Sequence, residues 1–178
     1  MSKNIESREI PHSEDPFYAP FKALYASSFP VFEQRTEQQQ QQAFSCPNYH
    51  LTAYRENDRL IGFIAYWEFP SYIYIEHFAI HAALRGKGYG GQVLENFLSA
   101  HSKTILLEID PPADAVSRAR LRFYQRCGFY PNPYLHVHPP YREAYQGHPL
   151  VVLSAGREIT EDEYRQFRTD LSSVVMHG

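Results

Sequence analysis

The chain has 178 residues, 43% of them apolar and 15% aromatic, with a formal net charge of −3. That length and apolar share suit one domain with a sizeable core and exclude a disordered chain. Lys and Arg form no basic run, the two cysteines (Cys46 and Cys127) are too few for a disulfide scaffold, and residues 1–11 hold no apolar signal core.

Phe17, Phe21, Leu24, Tyr25 and Phe29 recur at roughly helical spacing, so residues 15–28 predict a helix that Pro30 stops. Residues 32–44 predict a second, polar helix, with the glutamines at 38–42 as its solvated face. Two β-rich runs, 49–55 and 60–69, flank Glu56-Asn57-Asp58-Arg59 and predict a hairpin. A third strand covers 72–80. Residues 88–101 predict a helix with Val93, Leu94, Phe97 and Leu98 on one face, and 104–109 a short apolar strand. A helix over 114–127 is closed by Gly128, and another apolar strand covers 150–153. Thr160 and Glu163 form a capping box that opens a last helix over 161–175. The order predicts an α/β fold: a mixed, twisted, mainly antiparallel sheet with helices on both faces. No linker divides the chain, so 1–178 reads as one domain, its core at about 15–155.

The strongest local signal is Arg85-Gly86-Lys87-Gly88-Tyr89-Gly90-Gly91, between a strand and a helix. Glycines let the backbone curl so that successive N–H groups point into one hollow, and the helix adds the positive end of its dipole. Such a turn holds a phosphate or diphosphate. Gly86-x-Gly88-x-x-Gly91 also satisfies the dinucleotide fingerprint, with Asp110 near the place of a ribose-binding acid. Two features oppose that reading. Residues 81–85 separate the strand from the glycines, and the strand Tyr-Ile-Tyr-Ile-Glu-His-Phe-Ala-Ile carries polar groups where a buried parallel strand is apolar.

Arg85-x-x-Gly88-x-Gly90, five residues beyond an aliphatic strand end, resembles the acyl-CoA diphosphate loop of the GNAT acetyltransferases. Arg120-Leu121-Arg122-Phe123-Tyr124-Gln125-Arg126-Cys127-Gly128-Phe129 agrees: the family often carries an aromatic pair, a short gap and Gly-Phe at the end of its penultimate helix. The likeness in element order runs from about residue 15 to 155. It implies an acyltransferase, an acetyl-CoA-dependent N-acetyltransferase of a small-molecule or peptide amine, while the charge and the absence of a long apolar run predict no nucleic acid or membrane partner and a cytoplasmic location. A homodimer stays open.

By this resemblance the pantetheine arm of acetyl-CoA pairs with main-chain groups of Phe78 and Ile80 in a gap between splayed strands. The N–H of Phe78 then faces the thioester oxygen. Main-chain groups of Arg85, Gly86, Lys87, Gly88, Tyr89, Gly90 and Gly91 take the diphosphate. Ser117 stands where many relatives have an Asn against the pantetheine, and Arg118, Arg120 and Arg122 are candidates for coenzyme phosphates. Acetyl transfer needs a base for the ammonium and an acid for the thiolate. Glu76 is the candidate base, at the position that carries it in polyamine-type relatives, with a pKa expected to rise among Tyr72, Tyr74 and Phe78. Glu108 and Asp110 are reserves, with His77 and His81 behind them. Tyr124 matches the general-acid tyrosine. Cysteine catalysis and a metal on His136, His138 and His148 are disfavoured; that segment is expected to be a surface loop near the substrate entrance. The rival functions are a non-catalytic acyl-CoA-binding module and a dinucleotide-binding oxidoreductase.

Overall fold

The computed structural model describes residues 4–177. Eight strands make the sheet: β1 (Glu6–Glu9), β2 (Tyr49–Glu56), β3 (Arg59–Glu68), β4 (Tyr72–Ile80), β5 (Thr104–Ile109), β6 (Phe129–Pro131), β7 (His136–His138) and β8 (His148–Ala155). Their order is β1-β2-β3-β4-β5-β8-β6, with β7 also on β8. Among the described residues only β4 and β5 run parallel. Five helices cover the sheet: α1 (Tyr18–Ser28), α2 (Glu37–Ser45), α3 (Tyr89–Ala100), α4 (Ala115–Arg126) and α5 (Glu161–Asp170).

Two cores result, because the central strands bury both faces. On β3, Phe63, Ala65 and Trp67 join Phe21, Leu24 and Phe167 on one side. Ile64 and Tyr66 join Val93, Leu94 and Phe97 on the other. That is the period-two alternation of a strand, hidden in the sequence because both sets are apolar. The hairpin between β2 and β3 closes over Asn57, whose φ of +58° an Asn tolerates better than most residues.

Three expectations change. The helix read over 32–44 is broken: a single helical turn, Val31–Glu33, gives way to extended backbone at Gln34 and Thr36 before α2. Thr36 is the reason. Its hydroxyl accepts from the Gln39 N–H at 3.1 Å, while the Gln39 side chain accepts from the Thr36 N–H at 2.8 Å. That reciprocal cap starts a helix rather than continuing one. The glutamine run is not wholly solvated either, since Gln40 is buried and donates to the Tyr49 hydroxyl. The last helix ends at Asp170 and continues as a wider π turn, Leu171–Val175. Strands β1, β6 and β7 are additions to the predicted set.

Candidate active site

β4 and β5 pair only through Tyr72–Tyr74 and Thr104–Leu106. Beyond that point β4 stays on β3 and β5 stays on β8, and the two part. Ile75, Phe78, Ile80, Leu107 and Asp110 line the resulting cleft, about 1170 Å³ in volume. That exceeds the roughly 300–1,000 Å³ of ordinary small-ligand pockets. The bend has a local cause. Ala65 opposes His77 and Tyr66 opposes Ile75, so Glu76 is an extra, bulged residue. A bulge bends and twists its strand, and it places two successive side chains on one side. Glu76 bonds Trp67, and His77 packs against Tyr25 and Phe29 on the same face.

The register also fixes the main chain. The His81 N–H donates to the Ile61 carbonyl at 2.8 Å. In an antiparallel ladder bonded and non-bonded pairs alternate, so Ala79 exchanges bonds with Phe63 while Phe78 and Ile80 turn theirs away from β3. Their N–H and C=O groups face the gap, where β5 has left.

The glycine turn opens onto the same cleft. Gly86 and Gly88 hold φ of +77° and +84°, left-handed values that a side chain rarely adopts. Gly88 caps α3, whose first N–H groups have no partner within the helix. A Cβ on Gly91 would meet nothing within 4 Å, so the backbone there is open. Arg85, Gly86, Gly88, Gly90 and Gly91 line the cleft. The side chains of Lys87 and Tyr89 are not part of that lining; the Tyr89 hydroxyl donates to Glu56 at 2.7 Å. Ser117 is a further correction. Its hydroxyl is spent in the cap of α4, 2.7 Å from the Asp114 carboxylate, and it lies outside the lining.

Glu76 is buried and saturated. It accepts from Arg35 Nε at 3.0 Å, from Trp67 at 2.9 Å and from the Tyr141 hydroxyl at 2.7 Å, with Arg35 Nη2 at 2.9 Å. The expected rise in its pKa is reversed. Burial alone would raise it, but Arg35, His77 and these donors together hold it at about 2. A carboxylate so held has little pull on an ammonium proton. Arg35 also donates to the Val175 carbonyl at 2.8 Å and lies over the rings of Trp67 and Tyr141. The cluster therefore ties the start of α2, the β4 bulge, the loop at Tyr141 and the C-terminal turn together. Arg35 and Trp67 were missed in the sequence. The Thr36–Gln39 cap was the available signal that Arg35 lies outside a helix.

Glu108 on β5 is also occupied. Tyr74 donates to Oε1, and His136 meets Oε2 at 2.5 Å. These partners, with His138, hold its carboxyl below the usual range despite burial. The segment read as a surface loop is thus strand β7, with His136 and His138 buried; both pack near the cleft because β7 pairs with β8 beside β5. Asp110 lines the cleft and pairs with Arg120 at 3.2 Å. His81 is exposed.

Tyr124 lines the cleft, buried between Phe123 and Phe129, and its hydroxyl has no hydrogen-bond partner among the described residues. Burial pushes its phenol above the ordinary range, so it holds its proton at neutral pH. Cys127 also lines the cleft, and burial raises its thiol as well, which opposes thiolate chemistry. Arg85, Arg120 and Arg126 sit in the lining with the glycines, and Glu33, Glu76, His77, Glu108, His138 and His148 are among its other polar groups. No helix among the described residues is long and apolar enough to cross a membrane.

A mixed sheet that splays beside a glycine-capped helix defines an α/β protein with an open cleft between β4 and β5. The profile of the acetyltransferase (GNAT) family matches residues 18–129, and the chain belongs to that family. A "putative acetyltransferase from GNAT family" from Bacteroides thetaiotaomicron superimposes with a TM-score of 0.89 at 31% identity, over 96% of this chain and 98% of that one. The Bacillus subtilis protein "Putative acetyltransferase YjbC" is 33% identical over 78 residues, a stretch spanning 43% of this chain and 40% of that relative. An Elizabethkingia anophelis GNAT acetyltransferase with acetyl-CoA bound shares the fold, with a TM-score of 0.60 at 14% identity, covering 86% of this chain and 99% of that one. The sheet topology also removes the dinucleotide-binding alternative: the strand before the glycines is antiparallel to β3 and parallel to β5 for only three residue pairs.

Proposed function

We propose that the protein is an N-acetyltransferase that moves an acetyl group directly from acetyl-CoA to a primary amine of a small molecule or peptide. One observation carries this reading. The main-chain edge of Phe78 and Ile80, turned away from β3, adjoins the glycine-capped N-terminus of α3 in one cleft.

The main chain from Arg85 to Gly91 receives the diphosphate, since a helix N-terminus entered through glycines favours an anion. Phe78 and Ile80 offer the peptide-like pantetheine arm a strand edge to pair with. When bound, acetyl-CoA supplies the activated thioester. The Phe78 N–H then lies where negative charge develops on the thioester oxygen. The amine nitrogen bonds to the acetyl carbon and loses its proton to a base in the cleft, the carbon–sulfur bond breaks, and Tyr124 gives its proton to the departing thiolate and regains one through solvent. The Tyr124 hydroxyl donates to no group among the described residues, which leaves that proton available to the sulfur.

The test is release of free coenzyme A thiol from acetyl-CoA on adding primary amines, with the N-acetylated product identified by mass. Amine-dependent release is expected. Acetyl-CoA binding without release for any amine would favour a non-catalytic acyl-CoA-binding module. Tighter binding of NAD(H) than of acetyl-CoA would overturn the proposal.

A further inference from the structure

Glu76 and Glu108 both already accept hydrogen bonds from the protein, so the base of this reaction has to be sought elsewhere. We propose that His138 takes the proton from the acceptor amine through Nε2, and that Glu108 is the counter-charge of the imidazolium so formed. This rests on the N-acetyltransferase reading above.

The case is an accounting of hydrogen bonds. His138 Nδ1 lies 2.6 Å from the Pro139 carbonyl, which only accepts, so Nδ1 carries the proton. Nε2 is then a bare lone pair in the neutral ring. Its near neighbours give it no proton. The Tyr141 hydroxyl is 3.5 Å away and already donates to Glu76 at 2.7 Å. Glu108 Oε1 is 3.9 Å away and is an acceptor itself. His138 is 3% exposed, yet it lines the cleft that holds Phe78 and Tyr124. A buried acceptor without a donor is costly unless a ligand supplies one, and an ammonium N–H is such a donor. Once protonated, the ring has the Glu108 carboxylate as a ready ion-pair partner.

The other imidazoles fit less well. The Tyr164 hydroxyl donates to the Leu135 carbonyl, so it must accept from His136 Nδ1 at 2.8 Å. His136 Nε2 meets Glu108, so both of its nitrogens are engaged. His77 donates to the Glu33 carbonyl and sits between two aromatic rings, with no carboxylate oxygen within ion-pair distance. His148 lines the cleft without such a partner. The charged and titratable groups around His138 are Glu33, His77 and Glu76, Glu108, His136, Tyr141 and His148.

The experiment compares wild type with His138→Gln, using acetyl-CoA and the best amine of a panel comprising an alkyl diamine, an arylalkylamine and a short peptide with a free N-terminus. Near neutral pH the variant should lose about 10²-fold or more in kcat/KM, the usual worth of a positioned base. Acetyl-CoA affinity should be unchanged, and the deficit should shrink as pH rises toward the acceptor's own pKa. An unchanged rate at neutral pH, or the same deficit at every pH, overturns the assignment while leaving the acetyltransferase reading in place. A wild type that turns over no amine overturns both. Should the variant fail to fold, nitrogen-15 spectra of the wild-type histidines decide: a neutral His138 protonated on Nδ1 supports the proposal, and one protonated on Nε2 refutes it.

Discussion

Arg35 and Glu76 meet inside the protein, Nη2 to Oε2 at 2.9 Å, with side chains 4% and 1% exposed. Removing one member of such a pair leaves the other charged and buried, which costs about 3–5 kcal/mol. Arg35→Met should lower stability by that order in a denaturant melt. Arg35→Met/Glu76→Gln should recover part of the loss, since the two changes share one interaction.

The same pair makes stability depend on acid. Glu76 is held at about 2 in the folded chain, against about 4.3 for a free glutamate. A depressed carboxylate contributes stability that is present above the unfolded value and lost as pH falls toward the folded one. Wild-type stability should therefore decline between about pH 4.3 and 2. Glu76→Gln should start less stable and show a flatter decline over that window. Equal slopes for the two proteins would contradict the assignment.

Tyr124 offers a kinetic test. Tyr124→Phe keeps the ring that packs on Phe129 and removes the hydroxyl. Turnover should fall about 10²-fold with acetyl-CoA affinity intact, the pattern of an interaction made in the transition state. An unchanged rate would remove Tyr124 from the mechanism.

Gly88 tests the anion site. At φ +84° a side chain is strained, and an aspartate adds negative charge where a diphosphate would lie. Gly88→Asp should abolish acetyl-CoA binding by calorimetry while the far-ultraviolet spectrum stays native. Normal affinity would refute the cradle.

Much of the fold was legible. Strand β4 and strand β5 carry the residues expected of them because short β-branched and aromatic runs between turns leave little choice. The glycine turn was legible because left-handed backbone at Gly86 and Gly88 needs glycine. What stayed hidden has physical reasons. β1 is Glu-Ser-Arg-Glu, a charged edge strand of the kind that discourages edge-to-edge association and gives no apolar signal. β7 is three residues with polar ends, a strand only because β8 lies beside it. The bulge at Glu76 leaves no trace in a strand buried on both faces, so the turning of Glu76 toward Trp67 and Arg35 could not be read. Glu76 is the candidate base by its place in the chain; its basicity is set by Arg35, Trp67 and Tyr141 from elsewhere in the sequence and by its neighbour His77.

The most direct test is a crystal structure of the protein with coenzyme A. The diphosphate should lie on the main-chain N–H groups between Arg85 and Gly91, and the pantetheine arm should pair with Phe78 and Ile80, its sulfur within reach of the Tyr124 hydroxyl. Coenzyme A bound elsewhere, with the space between β4 and β5 closed, would contradict the account.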